Sequence, residues 1–236
     1  LAVTTDRVCL GVLAVELRIR AEDKVPDQHT RPIAEKESMR WIASYKMACE
    51  LAEETPDTQI INVTDREGDI FELYAEAERT DAGRRADFVI RAAQDRRVTV
   101  EDADSVTLTK LWDAAAAAPV LGEVSYHLAG TAVRKARDLT QTVQAVTVTV
   151  RPPRRPAGTE PLAPVTLHAV LVREVAPPAD EKPVEWLLLT SLPVDTMEAA
   201  MLVVSYYLCR WQVEVYFKVL KSGCKVEKLY LSTPDR

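Results

Sequence analysis

A mixed α/β fold, in which a layered core is interrupted by an antiparallel β subdomain, is what this sequence predicts. Three features point to it. From about residue 34 to residue 92, helical periodicity and short apolar strands alternate, the order that builds a sheet covered by helices. From 98 to 183, Val/Thr-rich segments recur between Pro and Gly residues, as antiparallel strands do. From 184 onward the chain returns to one apolar strand and its most regular helical stretch, so the predicted division is 1–97, 98–183 and 184–236.

The elements follow in order. Residues 1–20 alternate apolar and polar on either side of Thr5-Asp6-Arg7, which predicts a hairpin. A polar loop with Pro26 and Pro32 separates it from a helix over Ala34–Glu54, where Ile42, Ala43, Tyr45, Met47, Leu51 and Ala52 recur near helical spacing. Thr55-Pro56-Asp57 stops that helix. Thr58–Thr64 reads as a short buried strand, Ile70–Arg79 as a helix and Asp87–Ala92 as a second strand. In the insertion, VTVED, GEVSYHLAG, QTVQAVTVTVRP and PVTLHAVLVREV read as strands, with one Ala-rich helix at 110–118. VEWLLLT is the returning strand, and a single helix is expected over Thr196–Ser222. Asp195 is its expected cap, Glu198 completes a capping-box pattern, and Gly223 ends it.

Composition narrows the function classes. With 47% hydrophobic and 28% charged residues, and 7 Gly against 14 Pro, the chain is neither disordered, collagen-like nor a coiled coil. No apolar run approaches the roughly 20 residues of a membrane span, and the charged N-terminal segment does not read as a secretion signal. Cys9, Cys49, Cys209 and Cys224 form no C-x-x-C pair, so neither a zinc knuckle nor a disulfide scaffold is expected, and a reducing cytoplasm fits. The chain opens at Leu1 inside a strand-like stretch, and it reads as a fragment cut at both ends.

The net charge of −6 argues against indiscriminate polyanion binding, but three segments invert the sign. Residues 84–97 hold five Arg against Asp87 and Asp95; residues 133–155 hold Arg134, Lys135, Arg137, Arg151, Arg154 and Arg155 against Asp138; residues 201–236 hold six Lys/Arg against three acids. Such blocks are solvated faces or phosphate contacts.

In the last helix, Tyr207, Arg210, Glu214, Lys218 and Lys221 share an arc of roughly 80° on an ideal helical wheel. The other faces are largely apolar, so the helix is expected to pack on most sides, with this stripe toward a cleft or solvent. The stripe reads in two ways: an exposed ladder of i,i+4 ion pairs, or one carboxylate for a cation with basic residues for phosphates. A second carboxylate is available in QIINVTDREGD, where Asp65 lies just past a buried strand, at the carboxyl end where α/β sheets hold ligands. Asp65 or Asp69 can equally cap the next helix.

Together, Tyr207-x2-Arg210-x3-Glu214-x6-Lys221 resembles the Y-R-E-K signature of bacterial DDE transposases of the insertion sequence four family. VTDREGDI is similar to that family's second catalytic aspartate motif, and EKESMRW and VEWLLLTSLPV also resemble its members. The resemblance covers nearly the whole chain, insertion included. It implies a ribonuclease H-like core in which Asp65 and Glu214 hold two magnesium ions, for which manganese can substitute. It also implies double-stranded DNA partners, namely transposon ends and target, a homodimer when full-length and DNA-bound, and a bacterial cytoplasmic, nucleoid-associated location. Tyr207, Arg210 and Lys221 would then hold transposon-end phosphates, with Lys218 and Arg91 as further phosphate candidates. Trp186 would stack an extruded base; its competing reading is a buried strand tryptophan.

One departure follows from the same resemblance. The family's first catalytic aspartate precedes the second by more than the 64 residues available before Asp65. Asp6 lies in the expected hairpin turn and reads as a decoy, so the first core strand is expected to be missing, with the N-terminal DNA-recognition region and the C-terminal dimerisation helices. The chain alone is then expected not to cleave DNA, unlike its full-length parent. Other classes remain open. A structure-selective nuclease would share the acid pair, a non-catalytic transposase-derived binding protein or inhibitor would keep the basic residues, and a glycosidase would use Asp65 and Glu214 but leave the basic stripe unexplained.

Overall fold

A computed structural model describes residues 1–15, 38–79, 83–102, 105–131, 135–154 and 161–228. The expected strand residues 16–20, the loop 21–33 and helix residues 34–37 lie outside the described residues. The fold is mixed α/β. Its strands are β1 (Ala2–Val3), β2 (Cys9–Gly11), β3 (Ile61–Thr64), β4 (Asp87–Arg91), β5 (Arg97–Asp102), β6 (Ser105–Lys110), β7 (Val120–Leu128), β8 (Arg137–Val150), β9 (Val165–Glu174) and β10 (Glu185–Thr190). Its helices are α1 (Met39–Glu54), α2 (Phe71–Ala77), α3 (Leu111–Ala117), α4 (Met197–Cys209) and α5 (Gln212–Lys218).

Eight strands form one sheet in the order β3-β4-β10-β9-β8-β5-β6, with β7 paired to β8. Among the described residues, only β3 and β4 are parallel; the other pairs are antiparallel. The strands of the insertion thus continue the core sheet. Strand β8, 14 residues long, has two partners along one edge: its first half pairs with β7 and its last residues with β5. Ser105–Lys110, not foreseen as a strand, forms β6 at the sheet edge.

Helices cover both faces. On one, Tyr45, Cys49 and Ala52 of α1, Phe71, Leu73 and Tyr74 of α2 and Leu111, Ala114 and Ala115 of α3 pack on Phe88, Ile90, Val148, Val150, Leu167, Leu171, Leu187 and Leu189. On the other, Ala200, Val203, Val204 and Tyr207 of α4 pack on Val89, Val143, Val170, Val172 and Leu188. Because β4 and β10 are buried on both faces, their cores read as the continuous apolar runs FVI and LLL. The hairpin of β1 and β2 forms a two-stranded sheet of its own, turning through Arg7 at φ 64°. It meets α4 where the Cys209 thiol lies 3.6 Å from the Thr4 carbonyl oxygen.

The long C-terminal helix differs from expectation. It breaks after Cys209, where the Arg210 N–H donates to the Tyr207 carbonyl and the Trp211 N–H to the Leu208 carbonyl. These i→i−3 bonds tighten the chain into one 3₁₀-like turn before α5, and a π-helical turn, Val219–Gly223, follows. Packing explains the difference. Helix α4 is held down by its apolar face, whereas α5 has no buried residue, and Trp211, Val215, Phe217 and Val219 are exposed. The expectation of a helix packed on most sides therefore fails beyond Cys209. The N-cap is also one residue later than expected: Thr196, not Asp195, accepts the Ala199 N–H, at 3.2 Å.

One buried carboxylate organises the connection between β3 and α2. The Asp69 side chain has 0% exposure. It accepts hydrogen bonds from Tyr74 OH at 2.6 Å, from the backbone N–H groups of Ala93 at 2.6 Å and Gln94 at 2.9 Å, and from Arg96 at 2.6 Å. Gly68 precedes it, with a backbone pressed so close to the Thr64 side chain that any Cβ would collide. Asp69→Ala removes the carboxylate from the Tyr74 hydroxyl and two backbone amides and leaves the Arg96 guanidinium only the Asp69 carbonyl. Urea unfolding is expected to show a loss of about 3–5 kcal/mol, and a loss under about 1 kcal/mol would mean the ion pair is dispensable.

Candidate functional site

The site is built at the carboxyl end of the parallel pair. Ile61 and Val63 of β3 pack on the α4 side of the sheet, and alternation carries Asp65 to that side, since its backbone continues extended at φ −82°, ψ −162°. Val89 of β4 faces the same way, and so does Arg91, two residues on. The register Thr64↔Ile90 sets Asp65 level with Arg91. Trp186, at the start of β10, also packs on the α4 side, and the register Leu188↔Arg91 brings it to that same end. Three residues from separate parts of the chain thus share one face and one end of the sheet.

Helix α4 joins this group through an aromatic contact. The Tyr207 ring meets the Trp186 ring edge-on, with centroids 5.5 Å apart. Arg210 then lies over the other side of the cluster, its guanidinium carbon 5.9 Å from the Tyr207 ring centre. Its Nη2 donates to Glu214 at 2.7 Å. Trp186, Tyr207, Arg210 and Glu214 form a continuous chain of contacts from a partly buried ring to a half-exposed carboxylate. Partial burial works against the charge on Arg210, but the hydrogen bond and charge of Glu214 and the contact with Tyr207 outweigh it and raise its pKa.

The remaining expected residues lie further out. Lys218 closes α5, and Lys221 falls in the π-helical turn, where the Cys224 N–H reaches back five residues to Val219. The helical wheel that set all five residues on one stripe does not extend across the break and the π turn. Tyr207 itself is buried, at 6% exposure, so its ring is part of the core and not of an open stripe.

Both candidate acids have local partners. Asp65 accepts the Glu67 N–H at 2.9 Å and caps the short helical turn Arg66–Gly68, while Glu214 is held by Arg210. Both offer the oxygen donors that a hard divalent cation takes. Among the described residues, however, no three His, Cys, Asp or Glu side chains gather as a metal-holding group. Among the described residues, Asp65 and Glu214 do not complete a two-ion centre by themselves. Asp6, in the hairpin turn, is exposed.

Sequence reasoning did not find the Asp69–Arg96 pair beneath the site. Asp69 was visible only as the second aspartate of DREGD, and nothing local links it to Arg96, 27 residues away. No family model matches the chain. Among the described residues, no helix is long and apolar enough to cross a membrane.

The packing order of this group is open to measurement. Tyr207→Ala, which removes a buried ring, is expected to cost about 3 kcal/mol, whereas Arg210→Ala, which removes a partly exposed pair, is expected to cost about 0.5–1 kcal/mol. Equal urea midpoints for the two variants would contradict a buried Tyr207 and a peripheral Arg210.

Proposed function

We propose that this chain is the central part of a DDE transposase of the insertion sequence four family, built on a ribonuclease H-like core. The observation that carries this reading is the convergence of Asp65, Arg91 and Trp186 on one end of one sheet face, joined by Tyr207 to the Arg210–Glu214 pair. A phosphodiester site needs carboxylates for cations and fixed cations for phosphates; Asp65 and Arg91 share one end of the sheet face, and Arg210 with Glu214 adds one of each through the Trp186–Tyr207 contact. The spacing of Tyr207, Arg210, Glu214 and Lys221 and the VTDREGDI motif support the same reading.

Within it, each residue has a physical task. Asp65 and Glu214 contribute oxygen ligands, and a third carboxylate must come from a further strand. The outer edge of β3 has no strand partner among the described residues, which leaves room for such a strand beside Asp65. When bound, two magnesium ions, or manganese in their place, would activate water or a DNA 3′-hydroxyl and stabilise the leaving oxygen. Arg210 has five N–H donors and can hold Glu214 while presenting others to a phosphate oxygen. Lys218, Lys221 and Arg91 would add positive charge along the DNA backbone. Trp186 presents part of a ring at the site, where an unstacked base can lie against it. The partners are double-stranded DNA, as transposon ends and target, and a second copy of the full-length protein, in the bacterial cytoplasm at the nucleoid.

In the full-length protein, Glu214→Ala is expected to abolish magnesium-dependent cleavage of a transposon-end duplex while sparing DNA binding, and Arg210→Ala to weaken both. Joining of the released 3′-hydroxyl end to target DNA separates a transposase from a nuclease. Equal cleavage by the wild type and Glu214→Ala would refute the proposed chemistry.

A further inference from the structure

Two of the basic segments, distant in sequence, meet at the other end of the α4-side sheet face. Strands β5 and β8 pair with Val98 opposite Val150 and Thr99 opposite Thr149. Arg97 opens β5 and Arg151 directly follows β8, so continuing that register by one step sets them side by side, and both line one cavity. On its other side Arg97 pairs directly with Lys110 of β6. Lys110, Arg97 and Arg151 therefore form a row across three adjacent strands. At about 4.8 Å between strands, the row spans roughly 10 Å.

Directly opposed residues share a face, so the three cations project together. With Leu108, Arg96, Pro152 and Pro153, Arg97 and Arg151 line a cavity of about 350 Å³. Arg96 is committed to Asp69, and Lys110 donates to the Asp95 carbonyl at 2.7 Å and pairs with the Asp95 carboxylate at 4.0 Å. Arg97 and Arg151 are exposed and make no ion pair with an acid among the described residues. Like charges placed opposite each other on a sheet destabilise the free protein, a cost that a bound anion removes. Arg154, also exposed, extends the positive charge beyond the row.

The face leading to this row is polar and open. Alternation along β8 and β9 sets Thr147, Thr149, Thr166 and His168 on the side that α4 covers further up. They are tied in cross-strand pairs, Thr147 with His168 at 3.1 Å and Thr149 with Thr166 at 3.2 Å. Hydroxyls and cations on a flat face suit an extended phosphate backbone, and a row of this length covers two or three phosphates at about 3.4 Å of helix axis each. Glu101, on the same face of β5 and away from the row, limits the positive patch to one end.

We propose that the Lys110–Arg97–Arg151 row is a second contact for the DNA phosphodiester backbone, separate from the Tyr207–Arg210–Glu214 group. The identity of the polyanion rests on the function proposed above; the row itself does not.

The test is fluorescence anisotropy of a labelled DNA duplex titrated with the 236-residue chain over a series of salt concentrations. The Arg97→Ala/Arg151→Ala variant is expected to bind about tenfold more weakly and to lose about two from the slope of log affinity against log salt. Arg97→Lys/Arg151→Lys should recover most of the affinity, since point charges suffice for phosphate. An unchanged slope in the double Ala variant, with Arg210→Ala still weakened, would overturn this inference and leave the proposed function standing. A weakened double variant beside an unaffected Arg210→Ala would support the row and count against the role proposed for Arg210. Saturable binding of inorganic phosphate that the double Ala variant loses, with DNA affinity unchanged, would make the row a small-anion pocket and overturn the inference. Absence of duplex binding by the wild type at low salt would overturn both.

Discussion

The geometry of the candidate site depends on Asp69, a carboxylate withdrawn completely from solvent. A buried charge persists only when its neighbours satisfy it, and here those neighbours come from three places: Tyr74 on α2, the Ala93 and Gln94 amides just past β4, and Arg96 before β5. The bonds therefore lock the turn after β3 to the loop after β4. Those are the two strand ends that carry Asp65 and Arg91. Burial and the charge of Asp69 raise the Tyr74 pKa well above its ordinary value, so the phenol stays protonated and keeps donating. Thr64 and Gly68, pressed together above this ion pair, leave the turn no slack.

The second constraint is aromatic. Tyr207 on Trp186 fixes the end of α4 against the start of β10, and no side chain of α5 is buried. Between α4 and α5 the chain turns through 3₁₀-type bonds, so Arg210 lies in the turn and reaches Glu214 on α5.

Much of this was legible in the sequence, and what was missed was long-range. The runs FVI in β4 and LLL in β10 announced strands buried on both faces, and Thr55 with Pro56 announced the end of α1. Strand β6 was not legible because its apolar residues, Val106 and Leu108, face solvent at the sheet edge. The break after Cys209 had no local signal, since neither Pro nor Gly stands there; it follows from where packing stops. Thr196 and Asp195 are adjacent and both able to cap, so only geometry chooses between them. Of the candidate site, Arg210 with Glu214 was legible as an i,i+4 pair, whereas the contact of Tyr207 with Trp186 and the pairing of Asp69 with Arg96 require the tertiary fold. The row of Lys110, Arg97 and Arg151 is of the same kind: each residue was visible as part of a basic segment, and only the strand register aligns them.

That Asp65 and Glu214 act at one centre is tested most directly by replacing magnesium with ferrous iron in the protein bound to duplex DNA and mapping where hydroxyl radicals cut the polypeptide. A shared centre gives cuts clustered at both the β3–α2 turn around Asp65 and the α5 segment around Glu214, suppressed together by excess magnesium. Cuts at one of these positions alone, or at neither, would contradict a joint role for the two carboxylates.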